Sequence, residues 1–375
     1  MDTNTIDFIA QDLTRKYIAL RAANRRSPPS TSSGSSSSSS SSGPSTNDLA
    51  RSLQRMLQVL PRTAALSLQP QNLAEQKQFL NQLQTVNWEV AKYENRILLD
   101  KALDVIPITR LYEEAESNLH LHPDDLLDDV LIKRLLAWFK RDFFTWVNEP
   151  PCDYCKGKTM RIGMSGPTSE ERRFGAGNVE LYMCTVCSRQ TRFPRYNDPG
   201  KLLETRRGRC GEWANCFTLC CRAIGAEARY VLDTTDHVWT EVYSEHKGRW
   251  IHCDSCEEAY DQPLLYSAGW GKKPSYCIAL SAEEAVDVTR RYTQNWAQVL
   301  ARRNKVSEDV LAQLLRRFRQ EKQAALPSER VQELRRRAEI EERELEEASR
   351  RTAVSDAEMR GRQSGRDLDL FVIGH

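Results

Sequence analysis

The chain has 375 residues, 40% of them hydrophobic, enough for one large domain or two small ones with a proper core. Its 54 Lys and Arg residues against 52 Asp and Glu leave a formal charge of +2, so no long-range field favours a nucleic acid as partner. No stretch approaches the roughly 20 apolar residues of a membrane span, and Met1 to Leu20 carries Asp2, Asp7 and Asp12 where a secretory leader would be basic and then apolar. Eleven cysteines without such a leader point to metal binding or thiolate chemistry rather than a disulfide framework, and to the cytoplasm or nucleus as compartment.

Residues 1–26 form an amphipathic arm, with Ile6, Ile9, Leu13, Tyr17 and Leu20 on one helical face. Residues 27–46 are almost all Ser, Pro, Gly and Thr, a composition that cannot offset its chain entropy, and read as a disordered linker. A helical layer is predicted over 47–150, first through Leu49, Leu53, Leu57 and Leu60, then through Phe79, Leu83, Trp88, Val90 and Ile97. Its last helix is predicted over 123–147, with Leu127, Leu131, Leu135 and Phe139 in the buried stripe and a stop at Pro150 and Pro151.

Residues 151–199 are short of aliphatics and need a staple. Cys152 and Cys155 form one C-x2-C pair, and Cys184 and Cys187 form another. Two such knuckles complete a tetrahedral four-thiolate shell with no open position, so a structural Zn²⁺ is predicted, with Arg161 to Val179 looping out between its two ends. Two unrelated buried pairs, or redox dithiols, are the bland alternatives, and the βαβ context of the latter is missing.

Residues 200–300 change texture again: a helix over 210–224 feeds strand-like runs at Arg229 to Leu232, Val238 to Tyr243, Arg249 to Cys253 and Tyr276 to Leu280. The fold class is therefore α+β, with a helical layer, an antiparallel sheet and a zinc subdomain. Residues 301–375 read as charged helices and a tail, Arg330 to Arg351 being more solvated than core, with an apolar end around Leu368 to Ile373 that is a docking peptide or merely a tail.

Within this core Cys210 stands at a turn that opens a helix, where backbone N–H groups and the helix dipole favour a thiolate. His237 opens a strand with Trp239 on the same face, and Asp254 closes the next strand, where it can orient an imidazole. A base that takes a thiol proton and returns it to a leaving amine completes the set. Singly, each has an ordinary reading as a packed cysteine, a structural histidine or a surface aspartate. Cys216, Cys220, Cys221 and Cys277 are assigned to packing.

The stretches RFPRYNDPGKLLETRRGRCGEWANCFTLCCRAIG (Arg192 to Gly225), DHVWTEVY (Asp236 to Tyr243) and WIHCDSCEEAYDQPLLY (Trp250 to Tyr266) resemble the cytoplasmic peptide:N-glycanases of the transglutaminase-like superfamily. The resemblance implies a transglutaminase-like (papain-like cysteine) core, with Cys210 as nucleophile, His237 as base and Asp254 as its orienter. It further implies that Glu257 meets the inner sugars and that Trp146, Trp239 and Trp270 wall the cleft. The substrates so implied are misfolded N-glycoproteins, whose Asn–GlcNAc amide is cut in support of ER-associated degradation. The chain is similar to the shorter fungal form, without the N-terminal adaptor module of animal relatives. A ubiquitin-receptor or proteasome shuttle protein is the partner expected at the terminal helices. An adaptor role, a transglutaminase-type acyl transfer and a cysteine protease remain open as alternatives at this stage.

Overall fold

The computed structural model describes residues 70–365. The predicted arm, linker and first leucine face, and the apolar end beyond Gly365, lie outside the described residues.

Among the described residues the helical layer comprises α1 (Pro70–Glu89), α2 (Arg96–Val105), α3 (Ile108–Asn118) and α4 (Leu127–Trp138). Asn95 caps α2 by accepting the N–H groups of Ile97 and Leu98 at 3.0 and 3.3 Å. The helix predicted over 123–147 is shorter than expected at both ends. It starts at Leu127 and widens into a π turn over Phe139–Phe143, after which Thr145–Trp146 forms strand β1. The wider turn changes the helical period, so that Phe139, Phe143 and Phe144 are all buried, with Phe139 and Phe144 stacked at 5.1 Å.

Strands β2 (Thr159–Ser165), β3 (Val179–Cys184) and β4 (Gln190–Pro194) make an antiparallel sheet in the order β2-β3-β4, and α5 (Ser169–Arg173) bridges β2 and β3. The excursion predicted at Arg161 to Val179 is thus ordered, a correction. Residues 161–165 belong to β2, paired with β3 through a bulge at Arg161 and Gly163, and Thr168 and Glu171 close a reciprocal capping box on α5.

Next come α6 (Pro199–Thr205), β5 (Arg207–Gly208), which pairs in parallel with β1, and α7 (Cys210–Ala223). Then β6 (Ala228–Asp233), β7 (His237–Ser244), β8 (Arg249–Asp254), β9 (Ala259–Tyr260), β10 (Cys277–Leu280) and β11 (Ala285–Asp287) build an antiparallel sheet in the order β11-β10-β6-β7-β8-β9. Four of these six strands fall on the four predicted runs. Cys216, Phe217, Leu219, Cys220 and Cys221 of α7 are fully buried against this sheet, and the Thr218 and Thr240 hydroxyls join helix to strand at 2.8 Å.

Among the described residues three helices follow the sheet: α8 (Trp296–Arg302), α9 (Glu308–Gln323) and α10 (Ser328–Ala348). The last corrects the prediction of a solvated helix, because Leu334, Arg337, Glu341 and Leu345 are buried. Cross-strand partners Arg229 and Glu241 pair at 2.6 Å, Arg291 reaches Glu241 at 2.7 Å and Glu341 at 2.9 Å, and Arg229 also pairs with Glu341. Among the described residues no helix is long and apolar enough to cross a membrane.

Candidate active site and metal centre

Side chains alternate along β7, so Val238, Thr240 and Val242 face α7 while His237, Trp239 and Glu241 face the other side. Register then places Asp254. Thr240 pairs with Cys253, so Asp254 lies one step on, diagonal to His237 and on its face. The two meet at 2.8 Å between His237 Nε2 and Asp254 Oδ2, both fully buried. The residue before His237, Asp236, turns the chain with φ +72°, a conformation Asp tolerates better than most side chains.

Burial alone would lower the His237 pKa, but the charge and hydrogen bond of Asp254 outweigh it, and a smaller contribution comes from Cys210; the balance raises it to about 9. For Asp254, burial would raise the pKa, and the charge of His237 wins and lowers it. With Nε2 engaged by Asp254, His237 Nδ1 is buried and has no hydrogen-bond partner among the described residues. Cys210 lies near enough to help raise the histidine, and with Nε2 taken by Asp254, Nδ1 is the nitrogen left for its thiol.

Cys210 is half-buried and is the first residue of α7. Its position is set by charge on both sides. Arg209 donates twice to the Glu180 carboxylate at 2.8 Å, and Glu212 accepts the Arg209 N–H at 2.9 Å. Arg195 grips Glu212 at 2.5 and 2.7 Å and reaches Glu180 at 3.1 Å. Burial would raise the Glu180 pKa, but the hydrogen bonds and charge of its partners hold it down at about 2. Glu180 lies on β3, so the small sheet grips the start of the helix that carries Cys210. Gly208 belongs to the same joint, since any Cβ there would overlap the Glu212 side chain.

Sequence reasoning missed the groups behind Asp254. Tyr266 donates its O–H to Asp254 Oδ2 at 2.8 Å, and Oδ1 accepts the Cys256 N–H at 2.8 Å. His252 Nδ1 accepts the Gln262 N–H at 3.3 Å, so Nε2 carries its proton and donates to Tyr266 Oη at 2.7 Å. Burial lowers the His252 pKa to about 4 and keeps this ring neutral. His252 was legible in principle, two residues from Asp254 and therefore on its face; Tyr266 gives no local signal.

The four zinc-assigned thiols converge. Cys152, Cys155, Cys184 and Cys187 offer sulfurs all within 4.8 Å of one another, with Cys155 to Cys184 at 3.4 Å and both Cys152 and Cys155 at 3.5 Å from Cys187. A tetrahedral ion with metal–sulfur bonds of about 2.3 Å needs sulfurs about 3.8 Å apart, so the cluster fits a closed four-thiolate site. Cys184 Sγ also accepts the Val186 and Cys187 N–H groups at 3.3 and 3.4 Å, as a metal knuckle requires.

A profile described as the transglutaminase-like superfamily matches residues 162–255, and one described as the Rad4 transglutaminase-like domain matches residues 229–347. The peptide-N(4)-(N-acetyl-beta-glucosaminyl)asparagine amidase of Mus musculus is 49% identical over 70% of this chain and 41% of its own length. Its namesake from Yarrowia lipolytica is 46% identical over 68% of this chain and 72% of its own. The chain belongs to this amidase family. It spans about two fifths of the length of the mouse relative. A solved Rad4/XPC nucleotide excision repair chain aligns with TM-score 0.48 and 16% identity over 76% of this chain and 62% of that one.

Within the amidase framework two expectations need revision. Trp239 does not wall a cleft: it is 1% exposed, stacked on Tyr266 at 4.4 Å and bonded through its indole N–H to Tyr292, as its inward place on a central strand dictates. Glu257 is buried too, and its carboxylate accepts the N–H groups of Gln363 and Ser364, both at 2.9 Å, so it is not free for a sugar here. Trp146 and Trp270 are half-exposed, Trp270 with its ring 5.1 Å from His237.

Proposed function

We propose that the protein hydrolyses the amide between an Asn side chain and the first N-acetylglucosamine of N-linked glycans on misfolded glycoproteins, leaving Asp, in support of ER-associated degradation. The observation that carries this is the buried 2.8 Å His237–Asp254 pair whose free ring nitrogen is left for Cys210 at a helix start, in a chain of the amidase family. Asp254 holds the proton on His237 Nε2 and favours the charged ring, so Nδ1 can hold the proton that the thiol gives up. The Cys210 sulfur attacks the side-chain carbonyl carbon, and the imidazolium returns its proton to the departing glycosylamine. Water, deprotonated by the same histidine, then cleaves the thioester, releasing Asp and the thiol.

The ion assigned to the four thiolates is Zn²⁺, which would supply no chemistry beyond holding the small sheet closed, and through Glu180 the start of α7. Eleven unpaired thiols support a reducing compartment, the cytoplasm or nucleus. A ubiquitin-receptor or proteasome shuttle protein is the partner proposed for the terminal helices. In heavy-oxygen water the former glycosylated Asn should become Asp carrying one label, with the peptide backbone uncut and both inner N-acetylglucosamines on the released glycan. An unlabelled Asn retaining one sugar would refute the thioester route, and an incorporated amine would assign acyl transfer instead.

A further inference from the structure

After α10 the chain turns back to the candidate site. Glu358, 1% exposed, anchors the return: its carboxylate accepts from Arg351 Nη2 at 2.7 Å, Ser355 N at 3.0 Å and Leu264 N at 3.1 Å. Gly269 stands so close that a Cβ there would overlap the Arg360 carbonyl oxygen.

Residues 360–365 then run over the cleft that the resemblance implies, between Trp146 and Trp270. Arg360 donates to the Glu257 carbonyl oxygen at 2.8 Å, and the consecutive N–H groups of Gln363 and Ser364 fill the Glu257 carboxylate. The Arg362 guanidinium lies over both tryptophans, 5.7 Å from the Trp146 ring and 5.2 Å from Trp270. The Gly365 carbonyl accepts from Asn148 Nδ2 at 3.0 Å, and Asn148 in turn holds the Trp146 indole N–H at 2.8 Å. Trp146 is paired with Gly208, two residues before Cys210, and Trp270 packs on His237, so the segment reaches from the nucleophile's side to the base's.

We infer that residues 360–365 are an internal ligand of this cleft, which a glycan displaces to reach Glu257 and the two tryptophans. The inference rests on the sugar-binding role that the family resemblance implies for those three side chains, Glu257 being open to a sugar only once the segment has left it. Two features make the segment displaceable. Gly361, Arg362 and Gln363 are exposed and bury no apolar side chain, so release forfeits little hydrophobic energy. Trp270 Nε1 is buried without a partner among the described residues, and a ligand bringing an oxygen there would satisfy a donor the segment leaves bare.

The test uses the full chain with Gln363→Pro and Ser364→Pro together, which deletes both N–H donors to Glu257, and separately Arg362→Ala at an exposed position. Alkylation of Cys210 by a bulky maleimide, followed on its own peptide by mass spectrometry, should accelerate at least about tenfold in the double variant and less in Arg362→Ala. A synthetic peptide of the Arg360–Gly365 sequence should slow it again, and the KM for a glycopeptide should fall. Equal alkylation rates in wild type and both variants would overturn the internal ligand. Faster alkylation with unchanged KM would show that the segment covers Cys210 and would overturn its displacement by a glycan.

Discussion

Replacing Asp254 with Asn keeps the shape of the side chain and removes one charge. The gap between the His237 pKa of about 9 and the ordinary 6.5 corresponds to about 3 kcal/mol of preference for the imidazolium, most of which Asp254 supplies against burial. Without that charge, burial drives the pKa below 6.5. Proton placement suffers as well. The new amide would donate to His237 Nε2, moving the ring proton to Nδ1, where it can no longer accept from Cys210. A wrong tautomer of this kind costs roughly 10⁴-fold in turnover in a Ser-His-Asp hydrolase. Tyr266 is affected too, since its oxygen would receive N–H groups from both the new amide and His252, leaving its own O–H without an acceptor and lowering stability by about 1–3 kcal/mol. The assay is kcat/KM on a glycopeptide across pH, beside the imidazole titration by NMR. Wild type should lose the imidazolium as pH rises through about 9, and Asp254→Asn should lose it well below neutrality. Full activity with an unmoved alkaline limb would refute this account of the pair.

Cys210→Ala should abolish turnover and leave the melting temperature within about 1 °C, because a half-buried helix start supplies chemistry rather than core volume; residual deglycosylation near the wild-type rate would remove the nucleophile. Cys152→Ser, or chelation, should lower the melting temperature before it lowers kcat, with one zinc per chain by metal analysis of the untreated protein; a stable, active, metal-free protein would contradict the site. Glu180→Gln should cost roughly 1–3 kcal/mol in denaturant unfolding, since Arg209 loses its carboxylate while Arg195 keeps Glu212, and should reduce kcat more than it changes KM; a wild-type kcat would uncouple the small sheet from Cys210. Acid unfolding has a defined sign: Glu180 and Glu241 are each held at about 2, so their stabilisation is full above the ordinary 4.5 and is lost as pH falls toward 2, whereas that of His237 is full below 6.5 and lost through 9. Circular dichroism against pH should show both edges.

Local signals were the legible ones. The knuckle spacing gathered Cys152, Cys155, Cys184 and Cys187, and period-two runs located β6, β7, β8 and β10, because each depends on neighbours along the chain. Register between β7 and β8 brought His237 to Asp254, and a sequence states that only as an order of residues. What escaped depends on distant partners. Trp239 was placed on the right face but given the wrong surroundings, since nothing local announces that Tyr266 and Tyr292 cover it. The charged face of α10 looked solvated because its counter-charges, Arg229 and Arg291, lie 112 and 50 residues from Glu341. Residues 161–165 looked like loop because Gly163 and few aliphatics hide a strand whose pairing with β3 includes a bulge.

The buried ion pairs of Arg229, Arg291, Glu241 and Glu341 bear on how α10 finds its place. Its few apolar contacts, Leu334 and Leu345, would tolerate sliding, since one oily surface accepts another at many offsets. Four interlocked charges do not. Shifting the helix by one turn, about 5.4 Å, would withdraw Glu341 and leave two buried guanidinium groups to share Glu241. Measured against an apolar substitute the quartet adds little to stability, yet it converts a surface of near-equivalent dockings into a lock with a single setting. The segment that follows inherits that setting: the distance from Ala348 to the cleft is fixed because the helix has only one place to stop.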